Sequence, residues 1–101
     1  MSAGYYVANF SIINPELYGQ YVSKVMPLIM KYGGKAVVAG PGTERLEGDP
    51  GNTTVILEFP SKEAAQDWYN DPDYQAIISM RHDATEGGFA VLADAFRMPG
   101  S

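Results

Sequence analysis

The sequence predicts an α+β sandwich in which helices cover one face of a four-stranded antiparallel sheet. Three observations predict it. Short runs rich in aromatic and β-branched residues alternate with helical periodicities in the order β-α-β-β-α-β. The helical segments open on cap signals, Asn14-Pro15, Ser61 and Asp71-Pro72. The chain has 101 residues, 46% of them hydrophobic and 12% aromatic, which suits one ordinary core and argues against disorder.

Tyr5 to Ile13 reads as the first strand, with Tyr6, Ala8, Phe10 and Ile12 on one face and Tyr5, Val7, Asn9 and Ser11 on the other. Asn14 then caps a helix, Pro15 fits its first position, and Glu16 complements the helix dipole. Tyr18, Tyr21, Val22, Val25, Leu28, Ile29 and Tyr32 keep helical spacing, although Pro27 removes a backbone donor inside it. Gly33-Gly34 ends this helix, because glycine accepts a left-handed cap.

Lys35 to Ala39 is the second strand, interrupted at Gly40-Pro41-Gly42 and expected to continue over Thr43 to Glu47. Gly48 to Asn52 is a turn by composition, and Thr53 to Phe59 is the third strand. A helix from Ser61 to about Asn70 puts Ala64, Ala65, Trp68 and Tyr69 on its apolar side. Asp71-Pro72-Asp73 starts the next, with a stripe of Tyr74, Ile77, Ile78 and Arg81. Gly87-Gly88 is a break, and Phe89 to Phe96 is the last strand. This order is that of a split β-α-β, ferredoxin-like sandwich. One domain is expected over residues 1–101, its core at about 4–97, with disorder confined to Met1-Ser2-Ala3 and Met98 to Ser101.

Such a sheet leaves one face uncovered in a single chain. With Phe10, Leu57 and Phe59 toward the helices, that face carries Tyr5, Val7, Asn9, Thr54, Ile56 and Glu58. It is too apolar to stand in water as one patch, so self-association into a homodimer through the sheet face is expected.

Charge and composition narrow the partners. Twelve acidic against seven basic residues give a net charge of -5, with no basic cluster, so nucleic acid binding is not expected. Cysteine is absent, no charged-then-apolar leader opens the chain, and no apolar run approaches the ~20 residues of a membrane span, so a cytoplasmic protein is expected. One histidine and no cysteine cannot build a metal cluster, and neither a metal nor a cofactor is expected. The glycines at 40 and 42 lack the spacing of a phosphate loop, and no G-x-S-x-G hydrolase elbow is present.

Tyr18 and Tyr21, Gly33-Gly34, Glu47-Gly48-Asp49, Glu58-Phe59-Pro60-Ser61, Ala64-Ala65, Trp68-Tyr69, Pro72, Tyr74-Gln75 and Arg81 occur in an order and spacing that extends from about Tyr5 to Phe96. In this the chain resembles a bacterial family called domain of unknown function 1330, within the dimeric α/β-barrel superfamily. The resemblance implies a ferredoxin-like protomer and a dimer made by packing sheets into a barrel, but no particular reaction. Relatives in the superfamily include cofactor-free monooxygenases, haem-dependent enzymes, isomerases and stress-response proteins. The chain departs from the family pattern at Asn14, where an Asp is usual. It departs again at Pro50-Gly51-Asn52-Thr53, which lacks large or basic residues.

Candidate chemistry gathers on few residues. Arg81 shares a stripe with apolar residues, so it either holds an anionic ligand, pairs with Glu58, Asp94 or a helix end, or snorkels to solvent. Glu58, on a central strand, is either a desolvated general base or a strand-end ion-pair partner. His82 is either a general base, an axial metal ligand as in a haem-binding relative, or an exposed helix residue near a C-terminus. Tyr18, Tyr21, Trp68, Tyr69 and Tyr74 either line a ligand cavity between helices and sheet or only pack the core. Asn9 either orients a ligand carbonyl or bonds across a dimer. The leading expectation is a dimer that binds a small organic ligand, anionic or aromatic, through Tyr18, Tyr21, Asn9, Trp68, Tyr69 and Arg81. Arg81, Glu58 and His82 are the candidates should it be a cofactor-independent enzyme. The alternative is a non-catalytic accessory or stress-related dimer with no ligand site.

Overall fold

The computed structural model describes residues 2–96. Met1 and residues 97–101 lie outside it, as do the expectations placed on Met1, on Met98 to Ser101 and on residue 97 as the end of the core. The elements run β1 (Gly4–Ile12), α1 (Pro15–Lys31), β2 (Lys35–Gly40), β3 (Thr53–Phe59), α2 (Lys62–Asn70), α3 (Pro72–Ala84) and β4 (Thr85–Asp94). The four strands form one antiparallel sheet in the order β2-β3-β1-β4, the ferredoxin-like arrangement. Its edges, β2 and β4, stay apart, so the sheet is not closed into a barrel. Among the described residues, no helix is long and apolar enough to cross a membrane.

The helix starts follow the cap chemistry. The Asn14 side chain accepts from the Leu17 N–H at 3.1 Å, and Ser61 accepts from Ala64 at 3.0 Å. Each such cap stabilises its helix by about 1 kcal/mol. Helix α1 ends in paired bonds, Gly34 N–H to the Ile29 carbonyl and Gly33 N–H to that of Met30, with Gly33 at φ +78°. This is the Schellman arrangement that a glycine pair permits.

Asp71 joins all three helices. It ends α2, and its Oδ1 accepts from Asp73 N–H at 2.7 Å to cap α3. Its Oδ2 accepts from the Tyr32 hydroxyl and from Lys31 Nζ at 3.3 Å, both at the C-terminal end of α1. These donors, the Tyr32 hydroxyl first, hold the Asp71 carboxyl below its ordinary value, although partial desolvation opposes them.

Two segments differ from the sequence expectation. Thr43 to Glu47 forms no strand. Pro41 offers no N–H to extend the pairing, and β2 stops at Gly40. Gly87-Gly88 is no break, because β4 begins four residues before Phe89 and runs through both glycines. Asn9 pairs with Phe89 and Ser11 with Glu86, so β4 carries one more residue than β1 there, a bulge that glycine at φ +67° and +77° accommodates.

The faces of β1 and β3 fall as the alternation predicts. Tyr6, Ala8, Phe10, Leu57 and Phe59 are buried toward the helices with Tyr21, Val25, Ile29, Ala65, Trp68 and Tyr74. The opposite face carries Tyr5, Val7, Asn9, Thr54, Ile56 and Glu58, paired across the two central strands. One row on it crosses all four strands: Val38 beside Ile56, Ile56 beside Val7, Val7 beside Val91.

Two outcomes test these contacts. A Cβ at Gly88 would collide with the Asn9 backbone, whereas one at Gly42 would meet open space. Gly88→Ala is therefore expected to cost roughly 2–4 kcal/mol in urea denaturation and Gly42→Ala less than about 0.5 kcal/mol. A depressed carboxyl stabilises the fold fully above its unfolded value of about 3.9 and loses that contribution as pH falls through its folded value. Asp71→Asn should therefore lower the urea midpoint at pH 7, with a gap from the wild type that narrows as pH drops below about 4.

Candidate functional site

Trp68 is 1% exposed and sits in a shell of rings. Its centroid lies 4.5 Å from Tyr74, 5.2 Å from Tyr6, 5.4 Å from Phe59 and 6.0 Å from Tyr69. Beside this shell lies a cavity of about 80 Å³ between α1 and the sheet. Tyr18 and Tyr21 wall it from α1, Tyr6 and Phe10 from β1, Trp68 from α2 and Arg81 from α3, with aliphatic side chains around them.

Among the described residues, Arg81 is the one charged residue in that lining. Its side chain reaches inward because it continues the Tyr74, Ile77, Ile78 stripe of α3, and the residue is 8% exposed. Among the described residues no carboxylate lies within ion-pair distance of it: Glu58 pairs with Lys35 at 3.9 Å and Asp94 with Lys62 at 3.3 Å. One terminal nitrogen, Nη2, is 3.3 Å from Nε2 of His82, and Nε is buried without a partner among the described residues. Burial works against the guanidinium charge, but the phenol oxygens of Tyr6, Tyr74 and Tyr21 outweigh it and hold the group above its ordinary value.

The phenols answer in kind. Burial pushes Tyr6, Tyr18, Tyr21 and Tyr74 up, and the pull of Arg81 on each is too weak to reverse it. They remain protonated hydroxyls at neutral pH. Tyr21 and Tyr74 bond each other at 2.8 Å. Among the described residues, the Tyr6 hydroxyl and Trp68 Nε1 have no partner.

Of the residues singled out from sequence, Tyr18, Tyr21, Trp68 and Arg81 meet at this cavity, and Tyr74 stands behind it. The others lie elsewhere. Tyr69 packs on the far side of Tyr6, 6.5 Å away, in a separate groove with Leu92. Glu58 is on the opposite sheet face, where it accepts from the Tyr5 hydroxyl at 3.3 Å. His82 is exposed on α3, where it lines an outer groove beside β4 together with Phe10, Glu86 and Arg81, whose Nη2 it meets. Asn9 is buried beneath residues 51–54. Its Oδ1 accepts from Gly51 N–H at 2.7 Å, and its amide lies within 3.3 Å of three acceptors. Sequence reasoning passed over Tyr6. Its signal was a hydroxyl on a strand face otherwise made of Ala8, Phe10 and Ile12.

The site and fold together define a ferredoxin-like α+β protein with a small, mostly apolar cavity under its helices, lined in part by the Arg81 guanidinium. The chain belongs to the family described as Domain of unknown function (DUF1330), which matches residues 3–95. No curated protein matches it in sequence. Among solved structures it is similar to a protein of unknown function from Rhodopseudomonas palustris, at TM-score 0.78 and 20% identity over 96% of this chain and 85% of that one. SnoaB of Streptomyces nogalater, a cofactor-independent oxygenase, is similar at TM-score 0.66 and 13% identity over the full length of both. A dimeric ferredoxin-like protein of unknown function from Thermobifida fusca is similar at 0.56 and 14%, covering 93% and 92%. At these identities the likeness is one of fold.

Proposed function

We propose that this protein is a dimer that binds a compact anionic ligand, a small carboxylate or the ionised hydroxyl of an aromatic compound, in the cavity beside Trp68. One observation carries the reading. Among the described residues, the buried side-chain polar atoms without a partner are Tyr6 Oη, Trp68 Nε1 and Arg81 Nε, and all three belong to residues lining that cavity. Each is a donor, one of them cationic, and a buried donor left unmade costs roughly 1–3 kcal/mol. An oxyanion would offer them acceptors and the guanidinium a counter-charge.

The same chemistry bounds any catalysis. Carboxylates and imidazole are absent from the described lining, since Glu58 lies behind the sheet and His82 on the surface. The cavity can stabilise an anion, as an oxyanion hole does, but its described lining holds no base to form one. A cofactor-independent reaction here would act on a ligand that arrives ionised. The likeness of fold to SnoaB is compatible with such a reaction.

The rival reading is a non-catalytic accessory or stress-related dimer with an imperfectly packed aromatic core. What favours it is volume: about 80 Å³ is well below the ~300–1,000 Å³ of sites for larger ligands. Both readings include the dimer, supported by the Val38, Ile56, Val7, Val91 row and by the dimeric T. fusca neighbour. Val38 and Val91 are 44% and 48% exposed in the single chain, more apolar surface than an isolated row leaves in water without a partner.

Replacing a buried arginine that has no carboxylate partner among the described residues with an apolar residue of similar volume removes a desolvation cost, so Arg81→Met should keep or raise stability, by up to about 4 kcal/mol. The wild type should melt later in acetate or benzoate, by about 2.7 kcal/mol at 100 times Kd, and Arg81→Met should not respond. No response in the wild type, together with a destabilised Arg81→Met, would establish the rival. For the dimer, light scattering should give twice the chain mass, and Val91→Lys should halve it while leaving a folded circular-dichroism spectrum.

A further inference from the structure

The cavity's walls are buried or half-buried except at three residues, Val22 on α1 and Ala36 and Ala39 on β2. Its mouth therefore lies between α1 and the β2 edge. Helix α1 packs mainly on α3, and β2 is exposed along nearly its whole length, so a slot remains between them.

The register of β2 explains how two alanines come to border that slot. Ala36 pairs with Leu57, and the next pair is Val38 with Ile56, so β2 advances two residues while β3 advances one. Val37 is the extra residue of a β-bulge. Beyond it Ala39 pairs with Val55. Leu57 and Val55 both line the cavity, so the bulge brings Ala36 and Ala39 to the same helix-facing side, three residues apart. Without the bulge, strict alternation would set Val38 opposite Val55, and a branched side chain would stand where Ala39 now does. The same shift sends Val38 to the outer face, into the row with Ile56 and Val7.

We propose that the bulge at Val37 makes Ala36 and Ala39 the threshold of the cavity, the two residues whose small side chains set the cross-section of what reaches Trp68 and Arg81. The residue types fit this role. Both positions are exposed strand sites where larger β-branched side chains would favour the strand. Alanine there leaves the slot open, and leucine at either would extend across it toward Val22 and Met26. The threshold rests on the ligand-cavity reading, and its test is independent of ligand binding.

Trp68 is the only tryptophan of the chain, so its fluorescence reports access to the cavity without a label. Acrylamide, a neutral quencher, should reach it in the wild type despite its 1% exposure. Ala36→Leu and Ala39→Leu, each checked for native near-ultraviolet circular dichroism and melting, should lower the bimolecular quenching constant severalfold. Val38→Leu adds similar bulk next to these positions but on the outer face, and should leave quenching unchanged. Unchanged quenching in both alanine variants, or an equal loss in Val38→Leu, overturns the proposal. Because acrylamide carries no charge, Arg81→Met should be quenched as readily as the wild type, so the threshold stands or falls apart from anion binding.

Discussion

Trp68 is the fixed point about which both layers of the molecule are arranged. It is delivered by α2, lies under the centre of the sheet, and is bracketed by Tyr6 from β1, Phe59 from β3 and Tyr74 from α3. Edge and tilted contacts of this kind add about 0.5–1.5 kcal/mol each beyond burial. Their larger consequence is geometric. Rings are rigid, and a shell of them cannot collapse into every gap as leucine or methionine would. The gap they leave, between α1 and the sheet, is the cavity. Asp71 secures the arrangement from the helix side, because the same carboxylate that caps α3 draws the end of α1 toward it through Tyr32 and Lys31.

Arg81 stands out against this apolar construction. An interior guanidinium is ordinarily matched by a carboxylate, because desolvation of an unmatched charge costs several kcal/mol. Both acidic candidates for that match are engaged with lysines, Glu58 behind the sheet and Asp94 on an edge. The surrounding phenols, Tyr6, Tyr74 and Tyr21, favour the guanidinium against its burial but stay protonated themselves. Among the described residues the Tyr6 hydroxyl and the indole N–H of Trp68, at the same cavity, are also without a partner, and buried polar groups are ordinarily satisfied.

The two bulges shape the sheet for different ends. The one at Gly87-Gly88 lets β4 hug β1 closely enough that a side chain at residue 88 would strike the Asn9 backbone. The one at Val37 divides β2 into alanines that face the helices and a valine that faces outward. One inserted residue thus serves both faces, thinning the wall of the cavity and completing an apolar row across four strands. Neither was visible beforehand. Gly87-Gly88 looked like a loop because a glycine pair in isolation is a turn signal, and only pairing with a neighbouring strand converts it to a bulge.

What the sequence determined by itself was local and periodic. Asn14, Ser61 and Asp71 cap their helices through bonds spanning two or three residues, and the alternation from Tyr5 to Ile12 set the faces of β1 because side chains on a strand must alternate. The stripe that carried Arg81 inward was legible for the same reason. Tertiary structure alone decided which of the polar candidates share a space. Asn9, Glu58 and Arg81 are each plausible partners along the chain, but the pleat puts the first two on one side of the sheet and α3 puts the third on the other. That separation arises from the pairing of distant strands and the seating of a helix, interactions between residues some fifty positions apart that no local pattern encodes.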